Sequence, residues 1–206
     1  PEEIKFKLGT KFIGKRIEYF DITGSTMDEA FRLGVAGAEE GTLICAEGQN
    51  KGRGRLGRGW TSPKGKGIYA SIILRPKLQP SMVSQLTLFC AVAVAEAIKD
   101  VTGADIAIKW PNDLLINNKK VVGILTEMSA EIDRVNFVII GIGVNVNATS
   151  SQLPAHSTSL RQETEKHCSR LEVLQEILRR VEYWYVRFQE EGSAPILQQW
   201  RELSTT

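Results

Sequence analysis

The chain has 206 residues, 42% hydrophobic and 24% charged, which suits one good-sized domain with a real core. Its net charge of +2 is small, so any basicity is local, and the balance favours a small anionic ligand over a long polyanion. Cys45, Cys90 and Cys168 are scattered without a C-x-x-C, which points to a reducing compartment and away from zinc, and His156 and His167 lack metal-ligand spacing and read as surface or loop residues.

No signal-peptide pattern precedes the first strand, read over 15–22. Ser25-Thr26-Met27-Asp28-Glu29 holds two overlapping capping boxes, Ser25 with Asp28 and Thr26 with Glu29. They open a helix that runs to about Val35 and closes at Gly34 or Gly37. A helix start gathers free N–H groups, so Ser25 and Thr26 serve either as caps or as ligand contacts. Residues 42–47 read as a buried strand and 67–74 as the next, ended by Arg75-Pro76. Ser81 is expected to cap a long helix to about Thr102, with Gly103 as its stop. A short strand over 106–110 breaks at Pro111-Asn112-Asp113. Then 114–116, Asn117-Asn118 and 120–128 form a hairpin with an Asx-type turn.

Residues 135–142 are an apolar strand, 148–167 a loop and the one mobile connection, and 170–190 and 194–203 two helices. The apolar runs at 86–97 and 135–146 are too short to span a bilayer, so a soluble, cytoplasmic chain without a membrane partner is expected. Strands crowd the middle and form hairpins rather than repeated βαβ units. The expected fold class is α+β, a mixed, largely antiparallel sheet with helices packed on it.

The segment 48–67, which joins two of these strands, holds seven glycines and the cations Lys51, Arg53, Arg55, Arg58, Lys64 and Lys66, and no acid occurs between Glu47 and Glu96. Glycine lets backbone approach a ligand closely. Guanidinium forks suit carboxylate and phosphate oxygens, and Trp60 adds a flat apolar face. Gly52-Arg53-Gly54-Arg55-Leu56-Gly57 matches the dinucleotide fingerprint, but a strand rather than a helix follows and the ribose-binding acid is missing. By itself the loop fits equally a lid over an anionic ligand carrying a ring and a nonspecific contact to nucleic-acid phosphates.

Two further constellations sit at strand ends. Lys109-Trp110-Pro111-Asn112-Asp113 sets a lysine beside an amide and a carboxylate, and Gly141-Ile142-Gly143-Val144-Asn145 sets two glycines beside an amide. The blocks GQNKGRGRLGRGWTSPKGKGIYAS, KWPNDLLINNKKVVGILTE and GIGVNVN, with STMDEA before them, TSL at 158–160 and WREL in the tail, resemble the signature blocks of biotin protein ligases in order and spacing, over about residues 15–203.

That resemblance implies a catalytic domain of the biotin/lipoate protein ligase type and a two-step reaction. Biotin carboxylate attacks the α-phosphate of ATP, with Mg²⁺, to give biotinyl-5′-AMP. A lysine of the biotin carboxyl carrier protein of acetyl-CoA carboxylase then takes the biotinyl group. No enzyme nucleophile is needed, so fixed cations should carry the rate. The resemblance implies Ser25, Thr26, Met27 and Gln49 around the biotin ring system, Gly123 as backbone beneath it, and Arg53, Gly54 and Arg55 over the biotin tail and adenylate phosphate. It implies Lys109 as the catalytic bridge between biotin carboxylate and α-phosphate, aided by Arg55. Arg58, Trp60, Asn112 and Asn145 are implied as nucleotide contacts, with Mg²⁺ near Asn112 or Asp113.

Met27 stands where Asn is common, Asn50-Lys51 where Thr-Ala is usual, and Gly59 where a larger residue is frequent. One catalytic domain over 1–206 is expected, with no N-terminal winged helix, no C-terminal β-barrel and no DNA contact by this chain; edge-strand pairing would allow a homodimer. The rivals are a lipoate or octanoate ligase, against which the GRGRLGR and KWPNDL blocks argue, and a repressor-type nucleic-acid module, for which no helix-turn-helix or interleaved aromatics are present.

Overall fold

The computed structural model describes residues 1–204. In chain order these form α1 (Glu2–Lys5), β1 (Ile17–Thr23), α2 (Thr26–Val35), β2 (Leu43–Gln49), β3 (Gly67–Leu74), α3 (Ser84–Thr102), β4 (Ala107–Lys109), β5 (Asp113–Ile116), β6 (Lys119–Ala130), β7 (Val135–Asn145), α4 (Leu160–Thr164), α5 (Arg170–Glu191) and α6 (Ala194–Leu203). One seven-stranded sheet runs in the order β1-β2-β3-β7-β6-β5-β4. β1 and β2 pair in parallel, and the remaining neighbours pair antiparallel. The expected α+β class is what the chain forms.

β3 is buried along its whole length because both sheet faces are covered there. Such a strand reads as a continuous apolar run without alternation. On one face Leu86, Phe89 and Ile98 of α3 and Ile177, Leu178 and Val181 of α5 close on Ile72, Ile140 and Ile142. Phe89 is fully buried, and its truncation to Ala would cost about 3–5 kcal/mol. On the other face Met27 and Ala30 of α2 meet Ile44, Ile73, Phe137 and Ile139 in a smaller cluster. The remainder of that second face lies under the loop between β2 and β3.

Three local expectations change. Ser81 does not cap α3: Pro80–Met82 tighten into a 3-10 turn, and Val83 stands at the helix entrance without a side-chain cap. Backbone carbonyls of Gln79 and Pro80 take the first N–H groups instead. The 148–167 stretch is not a plain loop, since Ser159 caps the short helix α4 by accepting the Gln162 N–H at 3.3 Å. The same stretch is tied to the sheet, the Thr158 N–H donating to the Lys120 carbonyl at 2.8 Å and the Arg161 N–H to that of Val146 at 2.8 Å. Finally, 80–102 forms a helical run long and apolar enough to cross a bilayer, but most of it is buried as a core helix.

Other signals act as read. Gly103 ends α3 with φ +70°, a left-handed value that costs glycine little. Asn117 and Asn118 both take positive φ, 50° and 60°, as a two-residue hairpin turn requires.

Candidate active site

The site lies on the α2 face of the sheet, and its floor is glycine. Gly123 of β6 and Gly143 of β7 sit directly opposite each other in the antiparallel register. The Trp60 indole lies on both: a Cβ would come within 2.7 Å of the ring at Gly123 and 2.5 Å at Gly143. Two side-chain-free positions side by side make a flat shelf for a ring. Gly141 continues it, with the Met27 sulfur 2.5 Å from where its Cβ would stand.

The wall is polar and internally satisfied. Ser25 caps α2 by accepting the Met27 N–H at 3.3 Å. Gln49, at the end of β2, accepts both the backbone N–H (2.8 Å) and the hydroxyl (3.1 Å) of Thr26. Its amide nitrogen donates to Ser62 Oγ at 2.8 Å. Ser71 of β3 donates to Thr26 Oγ1 at 2.9 Å. Ser25, Thr26, Ser62 and Ser71 are all buried. A buried hydroxyl network of this kind holds donors and acceptors in fixed directions for a polar ligand edge. Tyr69 closes one side, and burial pushes its hydroxyl well above the ordinary tyrosine value.

The glycine-rich loop forms the roof. It is a small hairpin: Arg53 bridges Gly59, the Trp60 N–H donates to the Gly52 carbonyl at 2.8 Å, and Arg55–Gly57 turn the tip. Arg53 is held by Asp28 at 2.8 Å and by Glu127, which closes the roof on α2 and β6. A nucleic-acid reading would spend that guanidinium on phosphates. Arg55 is exposed and lines both this cavity and a neighbouring one bounded by Trp110 and Met128.

With Trp60 on the shelf the cavity is only about 40 Å³, room for a few waters. The indole N–H is buried there without an acceptor, a burden of about 1–3 kcal/mol. The ring is thus a natural candidate to move when a ligand arrives.

Ser25, Thr26, Met27, Gln49, Arg53, Gly54, Arg55, Trp60, Asn112 and Gly123 are brought together around this one cavity. Lys109, Arg58 and Asn145 are not. Lys109 is exposed on β4, two strands beyond β6, which ordinary strand spacing makes about 10 Å. Arg58 is exposed on the far limb of the loop. Asn145 is buried and donates to the Thr158 carbonyl at 3.0 Å, so it anchors the segment after β7. Asn112 reaches the cavity while donating to the Ile124 carbonyl at 3.0 Å.

The ammonium the site does contain is Lys120, which the sequence reading passed over. Its Nζ lies 2.7 Å from Asp113 Oδ1 and 5.3 Å from the centre of the Trp60 ring. A β-bulge puts it there. Leu114 pairs with Val122 but Leu115 pairs with Lys120, so β6 advances two residues against one of β5. Strict alternation would put Lys120 on the face of Val122, opposite Gly123; the bulge brings its Cε within 3.3 Å of the Gly123 Cβ position. The other missed residues, Ser62, Tyr69 and Ser71, lie in or just before an all-buried strand whose pattern marks no face. Among the described residues no group of three or more His, Cys, Asp or Glu side chains gathers to hold a metal.

Comparison with known proteins agrees with this geometry. Residues 19–145 match the model of the biotin/lipoate A/B protein ligase family. A Bacillus subtilis protein named bifunctional ligase/repressor BirA is 45% identical over 202 residues, covering 96% of this chain and 62% of its own length. The biotin–[acetyl-CoA-carboxylase] ligase of Paracoccus denitrificans is 40% identical over 126 residues, 60% of this chain and 52% of that protein. Among solved structures, the biotin protein ligase from Aquifex aeolicus in complex with biotin and ATP superposes with a TM-score of 0.78 at 32% identity, over 92% of this chain and 78% of that one. The chain therefore spans about three fifths of the length of its Bacillus relatives. With the family model matching more than half of its residues, the chain belongs to the biotin/lipoate A/B protein ligase family.

Proposed function

We propose that this chain activates biotin with ATP as biotinyl-5′-AMP and transfers the biotinyl group to a lysine of a carrier domain, of the acetyl-CoA carboxylase type named for the Paracoccus relative. One observation carries the reading: a two-glycine shelf bounded by buried hydroxyls and an amide ends at a single ammonium under an arginine-bearing loop. A flat, polar-edged ring suits the shelf, and a carboxylate suits the ammonium.

In the first step a carboxylate oxygen attacks the α-phosphorus and pyrophosphate leaves. Both reactants are anionic, so their approach is opposed by charge. Lys120, rather than Lys109, is the cation positioned to meet both, and Arg55 at the loop tip adds a second. A fixed charge of this kind contributes about 10²–10³ in rate. Gln49, Thr26 and Ser25 orient the ring edge, and Arg53, Gly54 and Trp60 order over the ligand as the loop reopens and closes. Asn112 lies where it can serve the nucleotide. Mg²⁺ enters with ATP as part of that substrate. In the second step the carrier amine attacks the mixed anhydride and AMP leaves, again without an enzyme nucleophile.

The test is ATP–pyrophosphate exchange with biotin, lipoate, octanoate or no acid. Exchange that depends on biotin supports the reading. Exchange with lipoate or octanoate alone moves the chain to the sister activity within the family. No exchange with any acid, together with no calorimetric binding of biotin, refutes it.

A further inference from the structure

Asp113 begins β5 and faces Gly123 across the β5–β6 pair, so its carboxylate belongs to the side of the sheet that carries the shelf. Its Oδ1 lies 2.7 Å from Lys120 Nζ and is sealed from solvent, although both side chains are only about two-thirds buried, at 29% and 33% exposure. The ammonium is the charge that meets this sealed oxygen. A half-exposed pair of this kind contributes little to folding. What it does change is the freedom of Lys120. A lysine has a long flexible stem and a compact charge, and about 2 kcal/mol of rotamer entropy is at stake when it is held. With one donor spent on Asp113 and the Trp60 ring on another side, the remaining N–H directions are limited before any ligand arrives.

We infer that Asp113 is a positioning residue for Lys120: it touches no substrate, but it holds the ammonium at the end of the shelf so that a ligand carboxylate meets a charge already in place. This rests on the proposed biotin reading. It also gives Asp113 a part different from the Mg²⁺-side position that the sequence resemblance implied. Preorganisation of this kind strengthens an ionic contact by removing the cost of ordering it at the moment of binding.

The test uses two ligands that differ only at the group Lys120 would meet, biotin and its alcohol, biotinol. Affinities are measured by calorimetry for the parent chain, Asp113→Asn, Asp113→Glu, Lys120→Ala and the Asp113→Asn/Lys120→Ala pair. The parent should prefer biotin. Asp113→Asn should lose about tenfold for biotin and keep its affinity for biotinol within about twofold. Asp113→Glu should regain part of the loss, and in the Lys120→Ala background Asp113→Asn should cost nothing further. Biotinol serves as the internal control for folding, since a damaged site weakens both ligands. Parallel weakening of biotin and biotinol, or a full Asp113→Asn penalty without Lys120, overturns the positioning role. A parent chain that binds neither ligand overturns the biotin reading itself, which distinguishes the two failures.

Discussion

Two lysine replacements separate the geometry of this site from its motif. Lys120→Ala removes the ammonium at the end of the shelf, and Lys109→Ala removes the lysine of the KWPND block. A charge meeting a ligand oxygen at about 4 Å, near a protein surface with an effective dielectric constant of about 20, is worth about 4 kcal/mol. Loss of one fixed electrostatic contact in enzymes costs a similar 2.7–4 kcal/mol, or about 10²–10³ in rate. Lys120→Ala should therefore slow single-turnover adenylate formation by about 10²–10³. From about 10 Å through water the same charge contributes about 0.4 kcal/mol, less than the thermal scale set by a tenfold change. Salt reduces it further, since the Debye length is about 8 Å at physiological ionic strength. Lys109→Ala should therefore change the rate by no more than about twofold. The assay is rapid-quench formation of biotinyl-5′-AMP at saturating biotin and ATP, with circular dichroism to confirm that both variants fold. A large loss in Lys109→Ala with a normal rate in Lys120→Ala would refute the reasoning and return the role to the motif lysine.

Other consequences can be checked directly. Gly143→Ala places a Cβ 2.5 Å from the Trp60 ring; overpacking of about 1–3 kcal/mol should lift the indole off the shelf, read as a shift in tryptophan emission and weaker biotin binding. Arg53→Ala releases the loop from Asp28 and Glu127, and tryptic cleavage after Arg55 or Arg58 should rise by up to about fivefold, as exposed pairs allow, with biotin and ATP suppressing the cut in the parent. Asn145→Ala leaves the buried Thr158 carbonyl without its donor and should cost about 1–3 kcal/mol, seen as a lower thermal midpoint with little change in the KM for ATP. Burial pushes the Cys45 thiol up to about 12, above its unfolded value, so it stays protonated in the folded chain at pH 8. Iodoacetamide should label Cys45 slowly in the native protein and rapidly in denaturant, and the folded state should lose stability as pH rises above the unfolded thiol value.

Much of the molecule was legible in its residues because the signals were local. Ser25 opens α2, Gly103 closes α3 with a left-handed φ, and Asn117-Asn118 turn the β5–β6 hairpin, each through chemistry confined to a few neighbours. The bounds of β3 and α6 are readable for the same reason, as apolar periodicity between turn formers. The glycine-rich loop, Gln49 and Gly123 were also identifiable, and they converge on one cavity as the resemblance implied.

What the tertiary structure alone decided is which lysine, and which way it points. Lys109 sits in the most distinctive motif, yet β4 is the outermost strand of the sheet, and strand order is set by long-range pairing that no window of sequence contains. Lys120 follows a hairpin turn in a run whose alternation assigns it to the opposite face. One extra residue in the β5–β6 ladder reverses that assignment, because side chains in a strand repeat every two residues and a single slip changes faces. The pairing of Gly123 with Gly143 is likewise a matter of register between separate strands. Sequence named the family of residues that could build this site, and the packing of the sheet chose the ammonium that completes it.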